Sequence, residues 1–170
     1  APGTAPAPDG NAAAGAPAAR APAAVLFLLR HAETLTSTSG EGRPDPSLSE
    51  TGRARAQALA RALGAAGVTA VWSSAYRRTQ ETAAPLAAAL GLDVEPYDAS
   101  RLNEVADALA GGEGRIVVVG HSNTTPRLVE LLGGDPGEPI DERTEYDRLY
   151  VLIRDGAGEV TTVRLHYGPG

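Results

Sequence analysis

From Ala24 onward the chain alternates short aliphatic runs with stretches of helical period, and this alternation restricts the fold more than any other feature. "AVLFLL", "VTAVWSS" and "RIVVVGH" have the length of strands, and the first reads as buried on both faces. Between the first two, "SLSETGRARAQALARALGAAG" puts Ala56, Leu59, Leu63 and Ala66 on one helical face, with Ser49 or Thr51 as its cap. "RRTQETAAPLAAALG" does the same with Thr79, Ala83, Leu86 and Leu90, and Pro85 inside it predicts a kink or a restart. "LDVEPY" is a short strand, "SRLNEVADALAGG" a helix ending at glycines, and "SNTTPRLVELLGG" a helix with Thr125 as cap and Pro126 in the first turn. "RLYVLIRDGAGEVTTVRLHYG" reads as two strands joined by a glycine-containing turn. The order predicts one three-layer α/β domain over residues 25–170: a mostly parallel central sheet flanked by helices, closed by an antiparallel hairpin.

The core of such a domain has to be aliphatic, because 42% of the residues are hydrophobic but only 4% are aromatic, with Trp72 expected inside. Cysteine is absent, which excludes disulfides, thiolate nucleophiles and thiolate metal sites. Three histidines with no pair at ligand spacing argue against a dedicated metal, and no cofactor is expected. All 15 basic residues are arginine and the net charge is -6, which argues against nonspecific binding to nucleic acid or an anionic membrane. No aliphatic run approaches the roughly 18 residues of a membrane-spanning helix. Residues 1–24 are nearly all Ala, Pro and Gly and read as a disordered tether. Tethers of this kind follow signal peptides or lipid anchors, so the expected location is extracytoplasmic: secreted, periplasmic or tethered to the envelope. A cytoplasmic chain with a disordered tail is the alternative.

In open α/β sheets ligands bind beyond the carboxyl ends of the strands, and three polar junctions fall at such ends: Arg30-His31, Ser73 through Arg78, and Gly120-His121-Ser122. Arg30 and Arg78 offer forked donors matched to a dianionic phosphate, and the helix start at Ser122 adds backbone N–H groups. A histidine inside that clamp, His31, can attack phosphorus, while His121 can donate to the transferring oxygens. His166 falls on an alternating strand beside Arg164 and is expected to face solvent. "NTT" from Asn123 fits a glycosylation acceptor pattern but sits where the phosphate pocket is expected.

Four segments, "LLRHAET", "DPSLSETGRARAQAL", "SSAYRRTQETA" and "VVVGHSNTTP", together resemble the histidine phosphatase superfamily, also called phosphoglycerate mutase-like, over about residues 24–167. The resemblance implies a nucleophilic histidine at His31, its companion arginine at Arg30, a second arginine at Arg78 rather than Arg77, and a second histidine at His121. Ala32 stands where the family usually has glycine. The asparagine or serine that touches phosphate a few residues on has no firm counterpart among Thr34, Thr36 and Ser37. The general acid implied by the mutase-like members falls on Glu104 in "RLNE", with Glu33 as a rival and no acid at all as the third option.

The resulting expectation is a metal-independent phosphatase that hydrolyses phosphomonoesters through a phosphohistidine on His31. Its partner would be a small phosphorylated substrate or a phosphoprotein. Phosphoglycerate mutase-like transfer and a non-catalytic phosphate-binding module are the alternatives. A mutase needs a closed pocket, for which a folded part this short leaves little chain.

Overall fold

The computed structural model of the protein describes residues 22–36 and 44–169; residues 1–21 of the expected tether, and Ser37, lie outside them. The strands are β1 (Ala24–Arg30), β2 (Ala70–Ser74), β3 (Val94–Tyr97), β4 (Gly114–Gly120), β5 (Arg148–Arg154) and β6 (Val160–His166). The helices are α1 (Glu50–Leu63), α2 (Arg77–Leu90), α3 (Leu102–Ala110) and α4 (Thr124–Leu131). The strands form one sheet in the order β3-β2-β4-β1-β5-β6. The first four in that order run parallel, while β5 pairs antiparallel with both β1 and β6. The predicted α/β architecture and closing hairpin are therefore what the chain adopts.

Strand β1 lies at the centre because both its faces are apolar, and every one of its residues is buried. On one face Val25, Phe27 and Leu29 pack with Leu59 and Leu63 of α1 and Ala83 and Leu86 of α2. On the other, Leu26 and Leu28 pack with Val105 and Leu109 of α3 and Leu128 and Val129 of α4. Two helices on each face exclude water from the middle of the sheet, so the polar residues of β1 and β4 fall at the strand ends.

Details of the elements follow local chemistry. Ser49 is the cap of α1, accepting from the Gly52 N–H at 3.1 Å. A Cβ on Gly52 would lie 2.0 Å from the Glu33 carbonyl oxygen, so this glycine lets α1 close against the segment after β1. Pro85 does not end or restart α2, which runs unbroken to Leu90 and ends at Gly91 with φ 66°. The proline removes a single helix bond, and buried Ala83, Leu86 and Ala87 around it hold the helix to the sheet. In α4 the cap position is Asn123, not Thr125. The Thr125 hydroxyl instead donates to the Leu29 carbonyl at 3.2 Å, fastening the helix to the end of β1. Trp72 is half-buried against the second core rather than enclosed by it. His166 faces solvent as expected, 3.3 Å from Asp147. No helix among the described residues is long and apolar enough to cross a membrane.

Candidate active site

The parallel strands β1, β2 and β4 all end at one edge of the sheet, in register: Arg30 pairs with Gly120, and Ser73 with Val119. The polar residues that follow them are therefore brought together by sheet pairing alone. Glycine at 120 leaves room for two buried hydroxyls, since an added Cβ would sit 2.9 Å from both the Tyr97 and Thr125 oxygens and would push on them. A cavity of about 360 Å³ opens there, lined by Arg30, His31, Arg78 and His121 together with Ser122 and Glu142. Among the predicted residues, the structure unites the two histidines, the two arginines and Ser122.

His31 is 7% exposed. Its backbone N–H donates to the Gly120 carbonyl at 2.8 Å, and the next N–H, of Ala32, donates to the Thr82 hydroxyl at 2.9 Å. Nδ1 lies 2.7 Å from the Ala32 carbonyl, an acceptor only, so this nitrogen carries the proton. Nε2 is left with a lone pair on the cavity side. Burial, with Arg30, Arg78 and His121 adding to it against the Ala32 hydrogen bond, lowers the imidazole to about 3, so it is neutral at ordinary pH.

His121 is fixed the opposite way. Thr79 Oγ1 donates to backbone carbonyls, at 3.0 Å to Ser74 and 2.9 Å to Tyr76, which leaves it to accept from Ser74 Oγ at 2.8 Å. Ser74 Oγ then accepts from His121 Nε2 at 2.9 Å. The Nδ1 lone pair faces the Arg78 guanidinium at 3.4 Å. Burial first, and then Arg78 and Arg30, lower this ring to about 4. The rings of His31 and His121 are 5.6 Å apart between centroids.

The two arginines differ. Arg78 is shared with Asp45 at 3.7 Å and lies over the Tyr76 ring at 4.5 Å. Arg30 does not present its full fork to the cavity as the sequence suggested. Its Nη1 donates to the Glu145 and Asp141 carbonyls at 2.9 and 3.4 Å, and Nη2 to the Glu142 carbonyl at 2.8 Å. Of its five N–H donors, three hold this turn, leaving one on Nη2 and that on Nε, which is buried without a partner. The reason is topological. Strand β5 enters antiparallel beside β1, so the turn before it lies against Arg30, and its carbonyls need donors.

The same turn supplies two residues that motif reading missed. Tyr146 stacks on the Arg30 guanidinium at 4.0 Å, and Glu142 lines the cavity. The signal that could have found them was the antiparallel pairing of the last hairpin, which puts residues before Arg148 at the carboxyl end of β1.

The two carboxylates named from sequence are elsewhere. Glu104 is an exposed residue on α3, ion-paired with Arg101 at 2.7 Å, and is not in the cavity wall. Glu33 is gripped by Arg55, whose Nε donates to both carboxylate oxygens at 3.0 and 2.9 Å and whose Nη2 donates at 2.7 Å. Burial raises that carboxyl, but the Arg55 bonds and charge outweigh it, and it stays below its usual range. No cluster of three metal-ligating side chains occurs among the described residues.

Comparison with known proteins agrees with this geometry. The model of the histidine phosphatase superfamily (branch 1) matches residues 26–106, which bears out the resemblance carried by the motifs. No curated protein sequence matches the chain. Among solved structures, a SixA-type protein from Agrobacterium tumefaciens is 24% identical, with a TM-score of 0.62, covering 76% of this chain and 91% of its own. The protein histidine phosphatase SixA complexed with tungstate is 19% identical, with a TM-score of 0.63, covering 85% and 97%. A mycobacterial glucosyl-3-phosphoglycerate phosphatase is 19% identical, with a TM-score of 0.62, covering 86% and 99%. At these identities the likeness is one of fold.

Proposed function

We propose, from the match of residues 26–106 to the histidine phosphatase superfamily, that the chain is a phosphomonoesterase working through a phosphohistidine on His31 without a metal. The observation that carries this reading is the neutral His31 imidazole. Its Nδ1–H is fixed on the Ala32 carbonyl, and its Nε2 lone pair faces a cavity that also holds Arg30, Arg78 and His121. A buried, neutral, oriented imidazole is a nucleophile at any pH well above about 3.

The phosphoryl oxygens sit between the free Arg30 donors, Arg78 and His121, with the N–H groups at Ser122 on the remaining side. Bound to a dianion, His121 takes a proton on Nδ1 and donates it as a hydrogen bond, while Nε2 keeps its place on Ser74. The Nε2 lone pair of His31 attacks phosphorus in line. The P–O bond to the leaving alcohol breaks, and the departing oxygen takes a proton. The carboxylic acid placed to give that proton is Glu142, the acidic side chain in the cavity wall. Its carboxylate then accepts a proton from the water that attacks the phosphohistidine. The N–P bond breaks, the electron pair returns to Nε2, and inorganic phosphate leaves. Glu104, committed to Arg101, takes no part.

A panel of phosphomonoesters assayed for free phosphate in the presence of a chelator tests this reading. Release by the native chain and its loss in His31→Ala are expected. Rearranged phosphoester in place of free phosphate, or turnover that the chelator abolishes, would contradict it.

A further inference from the structure

The phosphate cavity opens sideways into a second one of about 740 Å³, and the two share Tyr76, Ala99 and Ser100 in their walls. A further cavity of about 440 Å³ also meets Arg30, His31, Arg78 and Glu142, on the side of Thr34 and Pro44. The second space is the one with acids and no base in its described walls, and an ester with its phosphoryl group at His31 can extend its alcohol into it. The walls there are mainly apolar, from Tyr76, Pro96 and Tyr97, but the charged groups are both acids, Asp45 and Asp98.

Both are held in place by hydrogen bonds. The Ser100 hydroxyl and backbone N–H both donate to Asp98 Oδ1, at 2.6 and 2.9 Å, and hold that carboxyl below its usual range. The Arg77 backbone N–H donates to both oxygens of Asp45, at 2.8 and 3.1 Å. Among the described residues, no cation lines the second cavity to answer a second anionic group on the substrate. Arg30 gives three donors to backbone carbonyls, Arg78 is shared with Asp45, Arg101 is paired with Glu104, and the Arg77 guanidinium donates to Ser47 Oγ. Neither Arg77 nor Arg101 lines either cavity.

We propose that the leaving-group cavity selects phosphomonoesters of amino alcohols, whose ammonium group sits between Asp45 and Asp98 against the aromatic wall, and disfavours those bearing a carboxylate. Among the described residues, the lining of the second cavity carries two acids and no base. This deepens the phosphatase reading and rests on it for the placement of the ester. It also separates this chain from a fold neighbour named as acting on a phosphoglycerate, whose leaving group carries an acid.

The test measures binding apart from turnover. Phosphoethanolamine, glycerol 1-phosphate and 3-phosphoglycerate are titrated by calorimetry into His31→Ala, with and without Asp98→Asn, and the same esters are assayed with the native chain. The expected order of affinity is phosphoethanolamine, then glycerol 1-phosphate, then 3-phosphoglycerate, spanning about tenfold, as partly exposed charge pairs allow. Asp98→Asn should compress that span severalfold, and raised salt should do the same. Equal affinities, a reversed order, no binding, or a span untouched by Asp98→Asn would overturn the proposal. If the order holds in His31→Ala while the native chain releases no phosphate, the selection stands and the hydrolytic reading falls.

Discussion

The two halves of the site are built differently. At the phosphoryl end, Arg30, His31 and His121 are between 5% and 9% exposed and sit where paired parallel strands stop, each held by bonds to backbone or to buried hydroxyls. At the leaving-group end, Asp45, Asp98 and Glu142 lie in exposed loops with no strand register to fix them. Attack on phosphorus requires sub-ångström placement and exclusion of water, which a sheet edge provides. Choice of alcohol requires only the right charge and shape, and loops can vary those without disturbing the core. On the proposed function, the contrast assigns the reaction to the fold and the choice of substrate to three connecting segments.

The sharpest way to break that division lies in its single crossing point, Glu142, a loop residue assigned to the chemistry. Glu142→Gln should lower kcat by about 10²-fold or more, the range for loss of a general acid, whereas Glu104→Gln should stay within about twofold. Steady-state kinetics on an ester with a poor alkoxide leaving group checks both. An ester of a strongly acidic alcohol should lose much less, since its leaving oxygen needs no proton. If Glu104→Gln is the damaging change, the acid comes from α3 and not from the cavity wall.

A smaller effect sharpens the comparison through pH. In the folded chain His31 and His121 titrate at about 3 and about 4, while in the unfolded chain both have the ordinary value near 6.5. As pH falls through 6.5 the unfolded state takes up protons that the folded state refuses. Their contribution to stability is therefore full above about pH 6.5 and is lost progressively down to the folded values. Between pH 6.5 and 5 the loss is about 2 kcal/mol for each histidine. Carboxylates, which titrate lower, contribute little in that window. Urea unfolding at pH 7 and pH 5 should show this slope, and the double variant His31→Gln, His121→Gln should flatten it. A native chain equally stable at both values would mean that the phosphoryl end is far wetter than described.

What the sequence made legible follows the same line. The alternation of strands and helices, the burial of β1 on both faces, the Ser49 cap and the union of Arg30, His31, Arg78 and His121 all come from apolar period and from polar residues at strand ends, features local to each segment. Other features depend on contacts between distant segments. Pro85 passes through α2 because buried neighbours hold it, Thr125 leaves its cap role for the Leu29 carbonyl, and the Arg30 fork turns to the 141–145 carbonyls because β5 arrives antiparallel. Glu104 and Glu33 were reasonable acids by position in the chain, yet each lies beside an arginine that claims it. Glu142 carries no motif at all. Its place follows from topology alone.

The covalent step offers the most direct measurement of the central claim. Brief exposure of the protein to a labelled phosphoester, followed by alkaline denaturation and peptide mapping, should leave label on His31 that acid removes and alkali does not. The same treatment of His31→Ala should leave none. Label of equal amount in His31→Ala, or label at another residue of the native chain, would contradict the account.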